Sequence, residues 1–344
     1  MAVLPATIGV STGTGIGVEI TPEDFDPRAW LCAPRVVLDD DLEPGRATGE
    51  GDDMTERTNN YAFEGEQIGV DVLVLDKNKM EGMEVYMTVD GDIEVNCKLK
   101  ERGPTSIDSC NARIDEEVVD PSSSNWQGNW AEVASLYECL LTVETPATMQ
   151  GEFWISAVAE DLDGNDVEVD ETELWFLNPI IALGISGSVE FEDVRPGTSA
   201  YSDTIAVTND AEDGSGVTMD MFIGGTNFYD NDNVGTKCPD SNVLDLSRFS
   251  YHAVSGAYST RDDARSDVEG YVGIGYANGF NDPNLFYDVY EVIQAGPAIP
   301  GGYYGANLLA PGADMSVTFR LNLPVPCNAD NFDDGSIDFY GEAV

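Results

Sequence analysis

The chain has 344 residues and a formal charge of -48, because 64 acidic residues outnumber 16 Lys and Arg. A protein this negative cannot bind nucleic acid by neutralising phosphates, and an anionic membrane surface repels it. Hydrophobic residues make up 42% of the chain and aromatic residues 9%, which is enough to build folded cores. Composition therefore predicts a folded, very acidic protein with more than one domain.

The acidity is spread along the whole chain and is weighted toward Asp. There are 37 Asp and only 5 Lys, and no acidic block is longer than three residues. Self-repulsion of this size destabilises a compact fold unless salt screens it, so we expect adaptation to concentrated brine. A surface that collects Ca²⁺ or basic partners is the functional alternative, and an ordinary solvated surface is the third.

The first predicted element is an N-terminal arm, residues 1–27. Residues 8–20 are rich in Gly and Thr with Ile and Val between them, so this stretch could add a strand to a neighbour's exposed sheet edge. The first strand of its own domain and a disordered segment are the alternatives. Residues 1–18 hold no Lys or Arg and only a weak apolar run, which makes a poor signal peptide. They could be the tail of a signal peptide or a flexible mature N-terminus.

After the arm, apolar and polar residues alternate, and a period of two indicates β-strands. Gly, Pro, Asn and Asp separate the runs, and only residues 131–138 could form one or two helical turns. The predicted strands lie at residues 68–74, 85–89, 93–99, 137–143, 153–159, 201–207 and 315–323, with a last one at 338–344.

Strands at this spacing predict an all-β fold of two β-sandwich domains. We place an immunoglobulin-like sandwich at 28–180 and a second, looser sandwich of jelly-roll or immunoglobulin-like type at 184–344. Pro179 and the apolar residues 180–183 make the joint. All five Trp lie in the first part, while Tyr and Phe crowd the second.

Cysteine usage predicts disulfides and an extracellular location. The six cysteines are Cys32, Cys97, Cys110, Cys139, Cys238 and Cys327, and none forms a CxxC pair. Cys238 and Cys327 are the only two in the second domain and should pair. Strand parity allows Cys97 to bond Cys139, which leaves Cys32 with Cys110; a local Cys97–Cys110 bond is equally allowed.

Catalytic signals are weak. His252 is the single histidine, and no GxSxG nucleophile motif accompanies it. We therefore predict that the protein is not an enzyme, with a secreted hydrolase as a remote alternative.

Calcium is a stronger candidate ligand, because Asp161, Asp163, Asn165 and Asp166 place hard oxygen ligands in one tight loop. A β-hairpin requires the same residues, and we favour that turn over a metal site. Residues 230–235 open like an EF-hand loop but carry Val234 at a ligand position. Asp330, Asp333 and Asp334 form a third acidic turn.

Residues 270–312 form a Gly-rich, Tyr-rich stretch with little charge for this chain. Aromatic surface with little charge is typical of an interface core, and a loop packed on its own domain is the alternative. The predicted contact residues are Tyr276, Phe280, Phe286, Tyr287, Tyr303 and Tyr304.

Several strings in the chain indicate a family. They include Trp-Leu-Cys at 30–32, Asn-Tyr-Ala-Phe-Glu-Gly-Glu at 60–66, Trp-Phe-Leu-Asn-Pro at 175–179, Phe-Glu-Asp-Val-Arg-Pro-Gly at 191–197 and Phe-Arg-Leu-Asn-Leu-Pro at 319–324. From about residue 14 to its end, the chain resembles uncharacterised exported proteins of DPANN-group archaea, regarded as cell-surface or S-layer proteins. The resemblance implies a structural role at the cell surface and brings no catalytic residues. Family members begin with a signal peptide, and this sequence departs from them there.

We therefore expect an extracellular structural protein of a salt-adapted archaeon, assembling with copies of itself into an S-layer lattice or a filament. Nucleic-acid partners and membrane insertion are not expected, and Ca²⁺ is the only cofactor considered. The alternative is a secreted binding or adhesion module for glycans or partner cells, using residues 270–312 and Ca²⁺.

Overall fold

The computed structural model describes residues 25–39, 54–78, 80–104, 107, 109–111, 130–232, 235–276, 290–299, 302–328 and 331–344. Regular structure within these residues is almost entirely β. The exceptions are one helical turn, α1 (Trp130–Val133), and two 3-10 turns at Leu246–Arg248 and Thr260–Asp262.

The first sandwich is made of two sheets. Its strands are β1 (Arg28–Asp39), β2 (Met54–Arg57), β3 (Tyr61–Ala62), β4 (Gln67–Leu75), β5 (Glu84–Val89), β6 (Ile93–Asn96), β7 (Lys98–Arg102), β8 (Ala134–Thr142), β9 (Gly151–Glu160), β10 (Asp166–Glu168) and β11 (Glu173–Leu177). One sheet has the order β2-β1-β4-β8-β7, and the other has the order β3-β11-β9-β5-β6, with β10 paired to β9. This is the immunoglobulin arrangement, in which strands A, B, E and D face strands G, F and C.

Burial explains why β4 forms where it does. Val70, Val72 and Val74 alternate and pack into the core between the sheets. The opposite face is also covered, because Leu73 and Leu75 lie in a second small cluster. Each fully buried aliphatic side chain contributes roughly 1.5–3 kcal/mol, so this strand is a main source of stability.

The region predicted as helical, residues 131–138, is helical only through α1. The strand β8 begins at Ala134 and pairs with β4 at nine successive positions. Tyr137, Cys139 and Leu141 thereby reach the core. Cross-strand pairing and burial outweigh the local helical preference here.

The second sandwich repeats the immunoglobulin order. Its strands are β12 (Leu183–Ser186), β13 (Ser199–Asn209), β14 (Met219–Gly225), β15 (Phe228–Tyr229), β16 (Val243–Leu244), β17 (Phe249–Ser255), β18 (Tyr258–Ser259), β19 (Val272–Gly273), β20 (Tyr290–Glu291), β21 (Ala298–Ile299), β22 (Tyr303–Tyr304), β23 (Leu308–Leu309), β24 (Asp314–Asn322) and β25 (Ile337–Ala343). One sheet runs β12-β13-β24-β17-β18, which matches A-B-E-D. In the facing sheet β14 pairs with β25, β20 and β23, so β14 and β25 take the places of strands C and F.

The two sandwiches share a packed junction. Tyr61 and Phe176 of the first domain belong to the core cluster of the second. The Tyr61 hydroxyl donates a hydrogen bond to the Val344 carbonyl at 2.6 Å, and Asn59 Nδ2 donates to the same oxygen at 3.1 Å. The end of β25 is therefore tied to the first sandwich.

The chain enters the first sandwich at the pole opposite this junction. Gln67, at the junction end of β4, pairs with Thr142, whereas Leu75 at the other end pairs with Arg28 at the start of β1. Eight steps along β4 at about 3.3 Å each separate the two ends by about 26 Å. We call the end marked by Arg28 the far pole.

Disulfides close each domain. Cys32 bonds Cys110, Cys97 bonds Cys139 and Cys238 bonds Cys327, so all six cysteines are paired. In the first domain this is the connectivity that links Cys97 to Cys139, not the local Cys97–Cys110 bond.

No helix among the described residues is both long and apolar enough to cross a bilayer.

Candidate functional site

Among the described residues, no strand pairs with the outer edge of β25. At its two ends Val344 N donates to Thr218 O at 3.0 Å, and Thr226 N donates to Ser336 O at 2.9 Å. Ladder bonds alternate along an antiparallel pair, so the even-numbered residues of β25 bond to β14. The backbone N–H and C=O groups that point away from β14 belong to residues 337, 339, 341 and 343. Within the described part of the chain, β14 is the only strand that pairs with β25.

In the first sandwich a strand occupies the equivalent edge. There β9 occupies the place of strand F, with β5 on one side and β11 on the other. Trp175 and Leu177 of β11 are fully buried and complete the core. The second sandwich has the counterparts of β5 and β9 in β14 and β25, but no described strand takes the place of β11.

A groove of about 840 Å³, lined by both apolar side chains and polar groups, runs beside this edge. One wall is β25 with Ile337 and Phe339, and the opposite wall is the segment 187–196. The floor is the core of the sandwich, including Phe319 and Leu321. Asn331 and Ser336 are polar lining residues, and the other apolar ones are Ile185, Val189, Phe191, Val194, Ile205, Phe228, Leu244, Phe249, Leu323, Cys327 and Phe332.

Two glycines allow the chain to form the opposite wall of the groove, the segment 187–196. β12 pairs with β13 only as far as Ser186, and Gly187 follows with φ +105°. That backbone conformation strongly favours glycine, so the chain leaves the sheet at this point. Gly197, with φ +81°, returns it to β13. Between them Phe191 packs edge-on against Phe249, with ring centroids 5.9 Å apart.

The groove has apolar walls that solvent reaches and an acidic rim. Ile185 is 57% exposed and Val189 is 38% exposed, although both line the groove. Glu190, Glu192 and Asp193 are exposed along the same wall. Exposed apolar side chains do not stabilise a monomer, and patches of this kind mark interaction sites.

The predicted calcium loop is a hairpin turn between β9 and β10. Asp161 Oδ1 accepts from the backbone N–H groups of Asp163 and Asn165, each at 2.8 Å, and Oδ2 accepts from Asn165 Nδ2 at 2.9 Å. Desolvation raises the pKa of Asp161, but these hydrogen bonds outweigh it and hold the pKa below its usual value. Asp166 is in β10. Calcium binding by these four residues stays a prediction.

The described residues of the other two acidic turns do not form a metal-binding cluster. Asp230 is buried and accepts from Thr236 Oγ1 at 2.8 Å, while Asp334 accepts from Asn231. Val234 and Asp330 lie outside the described residues. Where the structure describes side chains, no three His, Cys, Asp or Glu residues come close enough to hold a metal ion.

Three of the six predicted aromatic contact residues can be placed. Tyr276 is 52% exposed and donates to Asn227 Oδ1 at 3.0 Å, while Tyr303 and Tyr304 form the small β22 hairpin strand with β21. The remaining residues, Phe280, Phe286 and Tyr287, lie outside the described residues. His252 lies on β17 with its ring 5.7 Å from that of Tyr271, and burial lowers its pKa.

Comparisons with known proteins leave the function open. No protein-family model matches the chain, and no curated protein does. The C-terminal domain of the Streptococcus agalactiae antigen I/II polypeptide BspA is 9% identical with a TM-score of 0.34, covering 92% of this chain and 96% of that one. The C-terminal domain of the Streptococcus pyogenes antigen I/II-family protein AspA is 9% identical with a TM-score of 0.32, covering 92% and 95%. At such TM-scores the likeness carries no argument.

Sequence reasoning identified the strands beside the groove but not the groove itself. Alternation at 315–323 predicts the strand that carries Phe319 and Leu321, and residues 338–344 are predicted as a last strand. The usable signal is the pair of glycines, Gly187 and Gly197, which bracket a short run that ends in Arg195-Pro196. This run interrupts the strand pattern of the second domain at the point where a sheet edge opens.

Proposed function

We propose that this protein is an extracellular structural protein that assembles with copies of itself at a cell surface. The observation that carries the proposal is the outer edge of β25, which no described strand pairs, beside a groove whose walls expose apolar side chains. An unpaired edge strand presents a row of backbone donors and acceptors for another strand. A groove next to it accepts the alternate side chains of that strand and makes the addition specific.

The disulfides support the extracellular part of this proposal. All three bonds link residues at least 42 positions apart in sequence, and structural disulfides of this kind persist in oxidising compartments. Two tandem immunoglobulin-like sandwiches with a packed junction suit a load-bearing role, because the junction couples the domains. An S-layer lattice and a filament are the two forms of assembly we consider.

Self-assembly is tested on the purified chain in multimolar KCl. We expect particles that grow with protein concentration in analytical ultracentrifugation, and ordered polymers or arrays in negative-stain microscopy. Strictly monomeric particles at every concentration, with and without Ca²⁺, would contradict assembly and favour the binding-module alternative.

A matched pair of variants tests whether the groove is the contact. Ile185 lines the groove and Ile180 lies outside it, and each is 57% exposed. Ile185→Asp places a carboxylate in the apolar wall, so assembly should require at least about tenfold more protein, since tenfold corresponds to 1.4 kcal/mol. Ile180→Asp adds the same charge elsewhere and should assemble like the unmodified chain. Equal behaviour of the two variants would exclude the groove.

A further inference from the structure

We propose that the groove of one copy is filled by residues 8–20 of a second copy, here called the arm strand. The arm strand would lie between β25 and the segment 187–196, as the last strand of the second sandwich. This inference rests on the proposed self-assembly and names the segment that carries it out.

The arm strand has the strand period over its entire length. Successive side chains of a strand point to opposite faces. Every even-numbered position holds a β-branched residue: Ile8, Val10, Thr12, Thr14, Ile16, Val18 and Ile20. Every odd-numbered position except the last holds Gly or Ser: Gly9, Ser11, Gly13, Gly15 and Gly17, followed by Glu19. One face therefore fits an apolar groove, and the other is small and suits solvent.

Charge favours this segment as the occupant. Residues 1–18 contain no Asp, Glu, Lys or Arg, although the chain carries a net charge of -48. The rim residues Glu190, Glu192 and Asp193 repel an acidic strand. An uncharged segment can approach the groove without that penalty.

The first sandwich supplies the expected orientation. There β11 runs antiparallel to β9 and buries Trp175 and Leu177 in the core. An arm strand antiparallel to β25 would bond to residues 337, 339, 341 and 343, and its Ile and Val side chains would enter the groove. Because β25 ends at the junction, Ile20 would then lie at the distal end of the second sandwich.

The positions of arm and groove favour a second copy over the same chain. Phe25 precedes β1 at the far pole and packs in a cluster with Trp30 and Leu75. Five steps from Ile20 to Phe25 span at most about 18 Å. The first sandwich alone separates the far pole from the junction by about 26 Å. Ile20 therefore cannot reach the groove of its own chain.

The same geometry produces a polymer. The arm leaves from one end of the molecule and the groove lies at the other, so each copy gives its arm to one neighbour and receives an arm from another. A head-to-tail contact of this kind repeats without closing unless the rotation between copies forms a ring. The antiparallel orientation places the body of the donor copy at the distal end, clear of the recipient's first sandwich.

The alternation is tested by two adjacent substitutions in the full chain. Val10→Asp points a carboxylate into the groove, whereas Ser11→Asp adds the same charge on the opposite face. Burying an unpaired carboxylate is costly, so Val10→Asp should raise the protein concentration needed for assembly on the order of a hundredfold. Ser11→Asp should change it by less than about threefold. At a protein concentration too low for assembly, both variants should melt at the same temperature as the unmodified chain.

A mixing experiment tests whether the arm acts between copies. Val10→Asp retains a groove, and Ile185→Asp retains an arm. Neither should polymerise alone, but an equimolar mixture should form a 1:1 dimer and stop there, because one functional arm meets one functional groove. A mixture that remains monomeric would overturn donation between copies.

A synthetic peptide of residues 6–22 distinguishes failure of the arm-strand proposal from failure of the proposed self-assembly. It should bind the Val10→Asp protein 1:1 and inhibit polymerisation of the unmodified chain, while the same peptide carrying Val10→Asp should do neither. Assembly that survives Val10→Asp but not Ile185→Asp would overturn the arm as occupant and leave self-assembly intact. An unmodified chain that never assembles would overturn the proposed function, and failure of the peptide to bind would overturn the arm strand as well.

Discussion

At the scale of single residues, Asp220 is a buried carboxyl whose ionisation affects the stability of the fold. It lies on β14 and is 2% exposed, and Asn307 Nδ2 donates to its Oδ1 at 2.7 Å. Burial raises the pKa of Asp220 to about 7, with further raising by Glu291 and Glu342 and partial lowering by the Asn307 hydrogen bond. The folded protein therefore holds a proton that the unfolded chain releases near pH 4.

Replacing this carboxyl should change the pH dependence of stability. Between about pH 4 and pH 7 the folded state binds the extra proton, so the contribution of Asp220 to stability falls as the pH rises through that window. Asp220→Asn removes the effect and keeps an acceptor for Asn307. The variant should match the unmodified chain near pH 4 and exceed it at pH 8 by up to about 4 kcal/mol.

Chemical denaturation at the two pH values in constant high salt measures the difference. Asp213→Asn, on an exposed turn, is the control and should leave the profile unchanged. A gain from Asp220→Asn that is the same at pH 4 and pH 8 would contradict the raised pKa.

At the scale of elements, the connection between β24 and β25 depends on a covalent bond. Residues 323–336 contain no named strand among those described, and Cys327 within them bonds Cys238 at a sequence separation of 89. Phe332 in the same connection lines the groove. The bond therefore fixes the connection that leads into β25.

Removing this bond should destabilise the second sandwich. Cross-linking a loop of this length stabilises a fold by about 4–5 kcal/mol in the chain-entropy treatment. The double variant Cys238→Ser with Cys327→Ser should lose about that much, measured by urea unfolding with fluorescence from Trp and Tyr. The matched variant Cys97→Ser with Cys139→Ser should weaken the first sandwich instead. An unchanged urea midpoint would show that packing alone holds the connection.

At the scale of the whole molecule, repulsion among the acidic residues destabilises the compact fold. Sixteen Lys and Arg cannot neutralise 64 Asp and Glu. The described ion pairs are few and involve Arg35, Lys100, Arg265 and Arg320. Arg320 bonds both Asp267 and Glu269, yet acidic residues outnumber Lys and Arg by 64 to 16 over the whole chain.

Salt should therefore stabilise the fold. Screening lengths fall from about 10 Å at 0.1 M to about 3 Å at 1 M salt, so the melting temperature should rise from dilute buffer to multimolar KCl. Circular dichroism melts across this range measure the effect. The rise should shrink near pH 4, where many carboxylates are protonated. Equal melting temperatures in dilute buffer and multimolar KCl would refute salt adaptation.

The strands were largely predictable from sequence, but their pairing was not. Alternation at 68–74 and 315–323 indicated β4 and β24, because each buries alternate residues in a core. The exception was 131–138, where a local helical pattern competed with pairing to β4. The Asp-Gly turn at 163–164 was also visible, since few residues other than Gly adopt its positive φ.

The groove could not be predicted because an open edge is a relation between distant segments. The last strand of the chain alternates like any other strand, and nothing within it shows that only one side is paired. β14 and β25 are more than 110 residues apart, and the wall opposite β25 comes from 187–196. The composition of residues 8–20 predicts a strand that could be added to a sheet edge. Only the strand order of the second sandwich identifies the edge that would receive it.

The hydrogen bond from Tyr61 to Val344 has a mechanical consequence. If a tensile load is applied between the arm of one copy and the far pole of the next, the arm strand and β25 slide past each other lengthwise. All hydrogen bonds between them are then loaded together, which resists rupture better than peeling them apart one at a time. Tyr61 holds the junction end of β25 to the first sandwich, so force passes directly from one domain to the next. A chain of such copies should behave as a stiff, extension-resistant fibre, and single-molecule pulling would show one high rupture force per contact.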